Sequence, residues 1–111
     1  MMTNRELAIA YLECFCAGDV AGLAPLLAAD LEFKGTLHHY DSRAEYLQSL
    51  ERDPPGKCGY RVLSVTENDN SVCLFYDYEK PNGVITIAQL FKIVDQKISE
   101  VILVFDGRGL D

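Results

Sequence analysis

Apolar and polar positions divide the chain into a helical front and a strand-rich back. Leu7, Ala8, Tyr11, Leu12 and Phe15 recur at spacings of three and four residues. That spacing lays one apolar stripe along a helix predicted over residues 3–17. Thr3 followed by Glu6 is a capping-box pattern, in which each side chain satisfies the other's backbone N–H. Gly18 supplies the left-handed residue that ends such a helix, and Asp19 can cap the next element. Leu23, Leu26 and Leu27 predict a second, shorter helix. Proline is tolerated only in a first helical turn, so Pro25 places the regular part from about Leu23, with Asp19 to Gly22 a loose turn and Ala28-Ala29-Asp30 closing it. Leu31-Glu32-Phe33-Lys34 alternates as a short strand, and Gly35 to Tyr40 reads as a connector. A third helix, capped by Asp41 or Ser42, runs through Glu51 with Ala44, Leu47 and Leu50 on its apolar side. Asp53-Pro54-Pro55-Gly56 is a breaker.

Four strands are predicted next, roughly Cys58–Thr66, Ser71–Glu79, Val84–Val94 and Ile98–Asp106. Short polar turns join them, so neighbours form antiparallel hairpins. Helices first and strands after predict an α+β domain. A turn centred near Asn68-Asp69 sets Ser64 roughly opposite Cys73. A two-residue turn at Asp95-Gln96 sets Val94 opposite Lys97, Gln89 opposite Ile102, Ile87 opposite Val104 and Ile85 opposite Asp106. Side chains alternate across a sheet. One face of the last hairpin then carries Ile85, Ile87, Gln89, Phe91, Ile93, Ile98, Glu100, Ile102, Val104 and Asp106. The other carries Thr86, Ala88, Leu90, Lys92, Ser99, Val101, Leu103 and Phe105. Both are apolar in the middle, and three helices can cover only one. The uncovered patch of Leu90, Val101, Leu103 and Phe105 reads as an interface, and a homodimer is expected through it.

The 111 residues amount to a single domain, 49% apolar and 24% charged, long enough to fold without metal or disulfide. Net charge is −7 and pI about 4.7, which offers no footprint for nucleic acid or an anionic membrane surface. No apolar run approaches a membrane span, and Met1 to Glu6 does not read as a signal peptide, so the expected location is cytoplasmic. The four cysteines lack converging spacing and read as free thiols, with no metal site expected.

The chemistry falls on a few residues. Gln89 and Asp106 lie among isoleucines and valines on the first hairpin face, with Glu100 nearer the turn. A polar group buried there needs a hydrogen bond, and a carboxyl there has a raised pKa suited to acid–base work. Of the consecutive His38 and His39, one can face a pocket, and an imidazole near a carboxylate is a good general base. A four-residue loop at Lys80–Gly83 turns Tyr76 and Tyr78 to the Gln89 face, whereas a three-residue loop turns Asp77 there. No nucleophile motif or phosphate-binding glycine loop is present, and no cofactor is expected.

The run Tyr11-Leu-Glu-Cys-Phe-Cys-Ala-Gly18-Asp19, then Leu23 to Leu27 and Ala29-Asp30-Leu31-Glu32-Phe33, resembles the NTF2-like superfamily. Tyr40 to Leu47 and the terminal Val104-Phe105-Asp106-Gly107 add to the likeness. Within that superfamily the chain is most similar to SnoaL-like polyketide cyclases and the ketosteroid isomerase group. The resemblance implies a cone: three N-terminal helices packed in a strongly curved, mostly antiparallel sheet, with a pocket at its open end and commonly a dimer through the outer sheet face. It implies Tyr11 as an oxyanion donor and sets Gln89 at the place of the second donor. The general-base aspartate of the isomerases falls near Gly35 and is missing. The cyclases' late aspartate is matched by Asp106.

The residues and the resemblance support two readings. In the first, the protein is a cofactor-free isomerase, cyclase or hydratase for a small apolar carbonyl compound. Asp106, Tyr11 and His38 carry the chemistry, and Gln89, Phe33, Ile87, Ile102 and Val104 line the pocket. In the second it is a non-enzymatic dimerisation or ligand-binding module, in which Gln89 and Asp106 pair with each other or with Tyr11 and side chains fill the cone. Taken singly, Tyr11 reads as a core tyrosine and Asp106 as a strand-end carboxylate capping a turn or pairing with Arg108.

Overall fold

Thr3 caps the first helix as its pattern predicts, its hydroxyl accepting from Glu6 N at 3.1 Å while Glu6 Oε1 accepts from Thr3 N at 2.8 Å. The computed structural model describes residues 1–106. In it, α1 (Asn4–Cys16) buries Leu7, Ala8, Tyr11, Leu12 and Cys16 on one face. The next segment departs from expectation. Its α-helical turn, α2 (Val20–Leu23), ends at Leu23 instead of beginning there, and Ala24–Leu26 forms a single 3₁₀ turn with Pro25 in its first positions. Proline suits that entry and stops further helix. Strand β1 (Leu27–Lys34) therefore starts early and absorbs Ala28-Ala29-Asp30. His39 and Tyr40, expected in a connector, form a short strand β2 (His39–Tyr40) against Phe33 and Lys34. Ser42 caps α3 (Arg43–Arg52), whose buried residues are Tyr46 and Leu50; Ala44, expected on that side, is exposed.

Strands β3 (Gly59–Glu67), β4 (Ser71–Lys80), β5 (Gly83–Val94) and β6 (Lys97–Phe105) complete the chain's described elements. The six strands make one curved mixed sheet in the order β2-β1-β6-β5-β4-β3, antiparallel throughout except where β6 runs parallel to β1. The helices cover one face of it, and the core gathers there around Leu12, Leu31, Leu74, Phe91 and Ile98.

Register decides what that face carries. Asp95 and Gln96 form the expected two-residue turn, both with positive φ (50° and 65°), and Val94 lies opposite Lys97. Ser99 is then an extra residue on β6. Ile93 pairs with Ile98 but Lys92 with Glu100, and the unpaired Ser99 bonds through its hydroxyl to Lys92 O at 3.1 Å. Beyond this bulge Gln89 faces Leu103, and Ile87 faces Phe105. A one-residue slip turns every later side chain over. Val101, Leu103 and Phe105 consequently point to the helices. Glu100, Ile102, Val104 and Asp106, expected inside, do not join Gln89 on that face.

The outer-face patch expected from Leu90, Val101, Leu103 and Phe105 is corrected by the same slip. Of these only Leu90 is outside, and the others there are Phe75, Ala88, Ile102 and Val104. The β3–β4 turn is centred between Asp69 and Asn70, which sets Thr66, not Ser64, opposite Cys73, and a second bulge lies farther along the strand at Leu63. The β4–β5 turn has two residues, Pro81 and Asn82, so Tyr76 and Tyr78 pair with Ile87 and Ile85 on the inner face. Asp77 sits outside, accepting from Thr86 Oγ1 at 2.7 Å.

Candidate functional site

The helices leave part of the inner face open, as a cavity of about 150 Å³ walled by α1, α3, β1, β2 and β4–β6. Its sides are aromatic. Phe33 stacks on Tyr46 with ring centres 4.7 Å apart, Tyr40 leans on both, and Phe15 stacks on Tyr11. Each ring arrives by its element's period. Tyr11 continues the buried stripe of α1, Tyr46 lies one turn before Leu50 on α3, and Phe33 takes the inward alternation of β1.

The polar groups sit at the floor. Tyr11 and Tyr46 share a hydroxyl–hydroxyl hydrogen bond. Two hydroxyls joined by one bond use one proton between them and keep the other to donate elsewhere. Tyr76 Oη donates to Gln89 Oε1 at 2.6 Å. That bond fixes the amide's orientation, so Nε2 is the free end. Gln89 is 1% exposed, and Nε2 has no hydrogen-bond partner. It lies beside the Tyr11 hydroxyl, where it acts to lower that group's pKa against the larger effect of burial. Burial raises the pKa of Tyr11 well above the ordinary tyrosine value, and the neighbouring Tyr46 adds to the rise. Burial also raises Tyr46 and Tyr76 far above it. The three phenols therefore stay protonated at neutral pH and remain hydrogen-bond donors.

The expected site residues separate under this geometry. Tyr11, Gln89, Phe33 and His38 line the cavity, His38 as an exposed residue with its ring stacked on Tyr40. Ile87 lines an adjoining apolar chamber. Ile102 and Val104 lie on the outer sheet face, and Val104 is 57% exposed. Asp106 is exposed in a separate groove with Lys80, Asn82 and Thr86, away from the phenols. Its proposed partner Arg108 lies outside the described residues. Glu100 is on the outside between Lys34 and Lys92, at 3.1 and 3.4 Å, and Lys34 first among them holds its carboxyl below the usual range.

Tyr46 and Leu103 were missed by sequence reasoning. Tyr46 carried a signal, its four-residue spacing to Leu50, whereas Leu103 could be found only with the Ser99 bulge in hand. Among the described residues, the side chains that could share a metal ion are Glu32, His39 and Asp41. His39 Nε2 lies 3.5 Å from the Glu32 carboxylate and 3.2 Å from that of Asp41. This exposed cluster is outside the cavity, and Lys34 already approaches Glu32 at 3.7 Å.

The fold has close counterparts. An NTF2-like protein of unknown function from Cytophaga hutchinsonii superposes with a TM-score of 0.85 at 24% identity, covering 99% of this chain and 96% of that one. A protein with a ketosteroid isomerase-like fold from Catenulispora acidiphila, solved with trimethylamine, gives 0.74 at 14% identity, over 94% and 88%. A SnoaL-like protein of unknown function from Burkholderia thailandensis gives 0.72 at 12%, over 94% of each. At these identities they show the fold and nothing finer. No curated protein matches the sequence. The family model for the SnoaL-like domain matches residues 8–101, the span that runs from the stripe of α1 through the Ser99 bulge. With that match over most of its length and the NTF2-like cone as its fold, the chain belongs to the SnoaL-like domain family.

Proposed function

We propose that the aromatic cavity binds a small, mostly apolar carbonyl compound and promotes proton transfer next to its carbonyl, as in isomerisation or cyclisation. One observation carries this reading: the unpartnered Nε2 of Gln89, buried beside the Tyr11–Tyr46 pair. A buried amide without an acceptor costs roughly 1–3 kcal/mol, and a carbonyl oxygen seated there removes that cost. The oxygen accepts from Nε2 and from the spare phenol proton. These donors bind an enolate oxygen more strongly than a ketone, so they favour the charge that builds up in the transition state. His38 is the cavity-lining side chain suited to take the proton. Its imidazole nitrogen accepts the α C–H proton, the electron pair moves onto the oxygen, and the proton returns at another carbon. Asp106 has no part in this scheme.

The test is exchange of the α protons of acetophenone in D₂O, followed by NMR. The wild type is expected to accelerate exchange. His38→Ala lowers that rate about 100-fold, Gln89→Leu weakens binding as well, and Asp106→Asn changes neither. Binding without exchange favours the second reading, a non-catalytic ligand-binding module. One observation supports that alternative: among the described residues lining the cavity there is no carboxylate.

The outer sheet face motivates a proposal about assembly. Phe75 and Val104 are 46% and 57% exposed beside Leu90 and Ile102. An apolar strip of this kind on a sheet suits a second copy of the chain.

A further inference from the structure

The aromatic cavity does not end at its own walls. Phe15, Tyr76 and Leu103 also wall a second chamber of about 230 Å³, completed by Tyr78, Ile87 and Lys80 among others. The floor of the first chamber holds the donors, and the second is apolar until Lys80. Three of the five lysines are engaged: Lys34 and Lys92 with Glu100, and Lys97 with Pro25 O. Lys57 is exposed. Lys80 alone of the five is half-buried and makes no hydrogen bond or ion pair with the described residues.

We propose that the two chambers take one elongated ligand, with its carbonyl at Gln89, an apolar body over Tyr76 and Leu103, and an anionic end at Lys80. This deepens the carbonyl-binding reading and rests on it. Lys80 pairs with Gly83 and Gln89 with Leu74, six positions apart along β4. At about 3.3 Å per residue their backbones are some 20 Å apart, and a contact of about 3 Å at each end, with the bend of the flexible Lys80 stem, leaves about 12–15 Å for the ligand. A keto acid with an aryl or short alkyl body has that length. The charge matters because the protein carries −7 overall and repels anions at long range. The Lys80 ammonium, which borders both the apolar chamber and the groove of Asp106, supplies the local attraction.

The test uses the para-acetyl derivative of phenylbutanoate and its methyl ester, which keeps the length and removes the charge. Binding is measured by titration calorimetry. The acid is expected to bind the wild type about tenfold more tightly than the ester, a margin that shrinks as salt is added. Lys80→Met keeps the apolar stem and is expected to remove the margin while leaving ester binding unchanged. Equal affinities for acid and ester in the wild type overturn the proposal, and so does a margin that survives in Lys80→Met. The carbonyl site stands in either case if Gln89→Leu weakens ester binding. Failure of both compounds to bind overturns the carbonyl reading and this inference together.

Discussion

At Gln89, a leucine of similar volume would fill the same space and leave no amide protons unpaired. The glutamine is therefore a local departure from what packing alone favours, of the kind found where a ligand completes the hydrogen bonding. The double variant Tyr76→Phe/Gln89→Leu removes the linked bond and the orphan together. It is expected to be more stable by about 1–2 kcal/mol, visible as a higher Tm, and to lose ketone binding. The buried phenols set a pH limit. Their folded pKa values lie above the unfolded value of about 10, so the unfolded chain releases protons first as pH rises. Their stability contribution is fully present below about pH 10 and declines above it, by about 1.4 kcal/mol per pH unit for each of Tyr11, Tyr46 and Tyr76. Urea unfolding at stepped alkaline pH should show that steep fall, and Tyr46→Phe should make it shallower. Tyr11, Gln89, Phe33 and His38 were legible as cavity candidates because each sits on a periodic face or in a short connector. The pairing of Tyr11 with Tyr46 was not, since it joins two helices that no local pattern relates.

Among the elements, the β5–β6 hairpin shows where pattern reading works and where it fails. Its turn is legible from length, and both turn residues adopt positive φ without being glycine. That conformation costs a side-chain-bearing residue about 1–2 kcal/mol. Gln96→Gly relieves it, less the entropy that glycine adds to the unfolded chain, for a net gain of up to about 1 kcal/mol. Thermal unfolding checks it. The Ser99 bulge was not legible, because β6 is apolar on both faces and alternation cannot reveal a one-residue slip. Deleting Ser99 restores the uninterrupted count, turning Leu103 and Phe105 out and Ile102 and Val104 in. The expected outcome is a strongly destabilised protein with exposed apolar surface, read by dye binding and a lowered Tm. The early start of β1 was equally hidden: Ala28-Ala29-Asp30 has no strand signature of its own and lies in an irregular stretch of β1 between the pairings of Leu27 with Ile98 and Glu32 with Glu100.

For the whole molecule, the outer face connects register to assembly. With Phe75, Leu90, Ile102 and Val104 outside, a dimer packed through the sheet is expected in sedimentation. Val104→Lys should shift it to monomer while leaving ketone binding intact, because Val104 is remote from the cavity. A monomeric wild type would remove the assembly proposal and leave the inner face untouched. No described helix is long and apolar enough to cross a membrane, which agrees with the absence of a long apolar run.

The α+β class, the capped first helix, the hairpin order and the likeness that leads to the cone are all legible in the residues alone. All of these rest on local periodicity, capping and turn chemistry, which act over a few residues. Which face of β6 meets Gln89, the hydrogen bond between Tyr46 and Tyr11, and the separation of Asp106 from both emerge only once the chain is folded. Those outcomes depend on one unpaired serine and on the closing of helices over a curved sheet, where residues far apart in the chain settle each other's position.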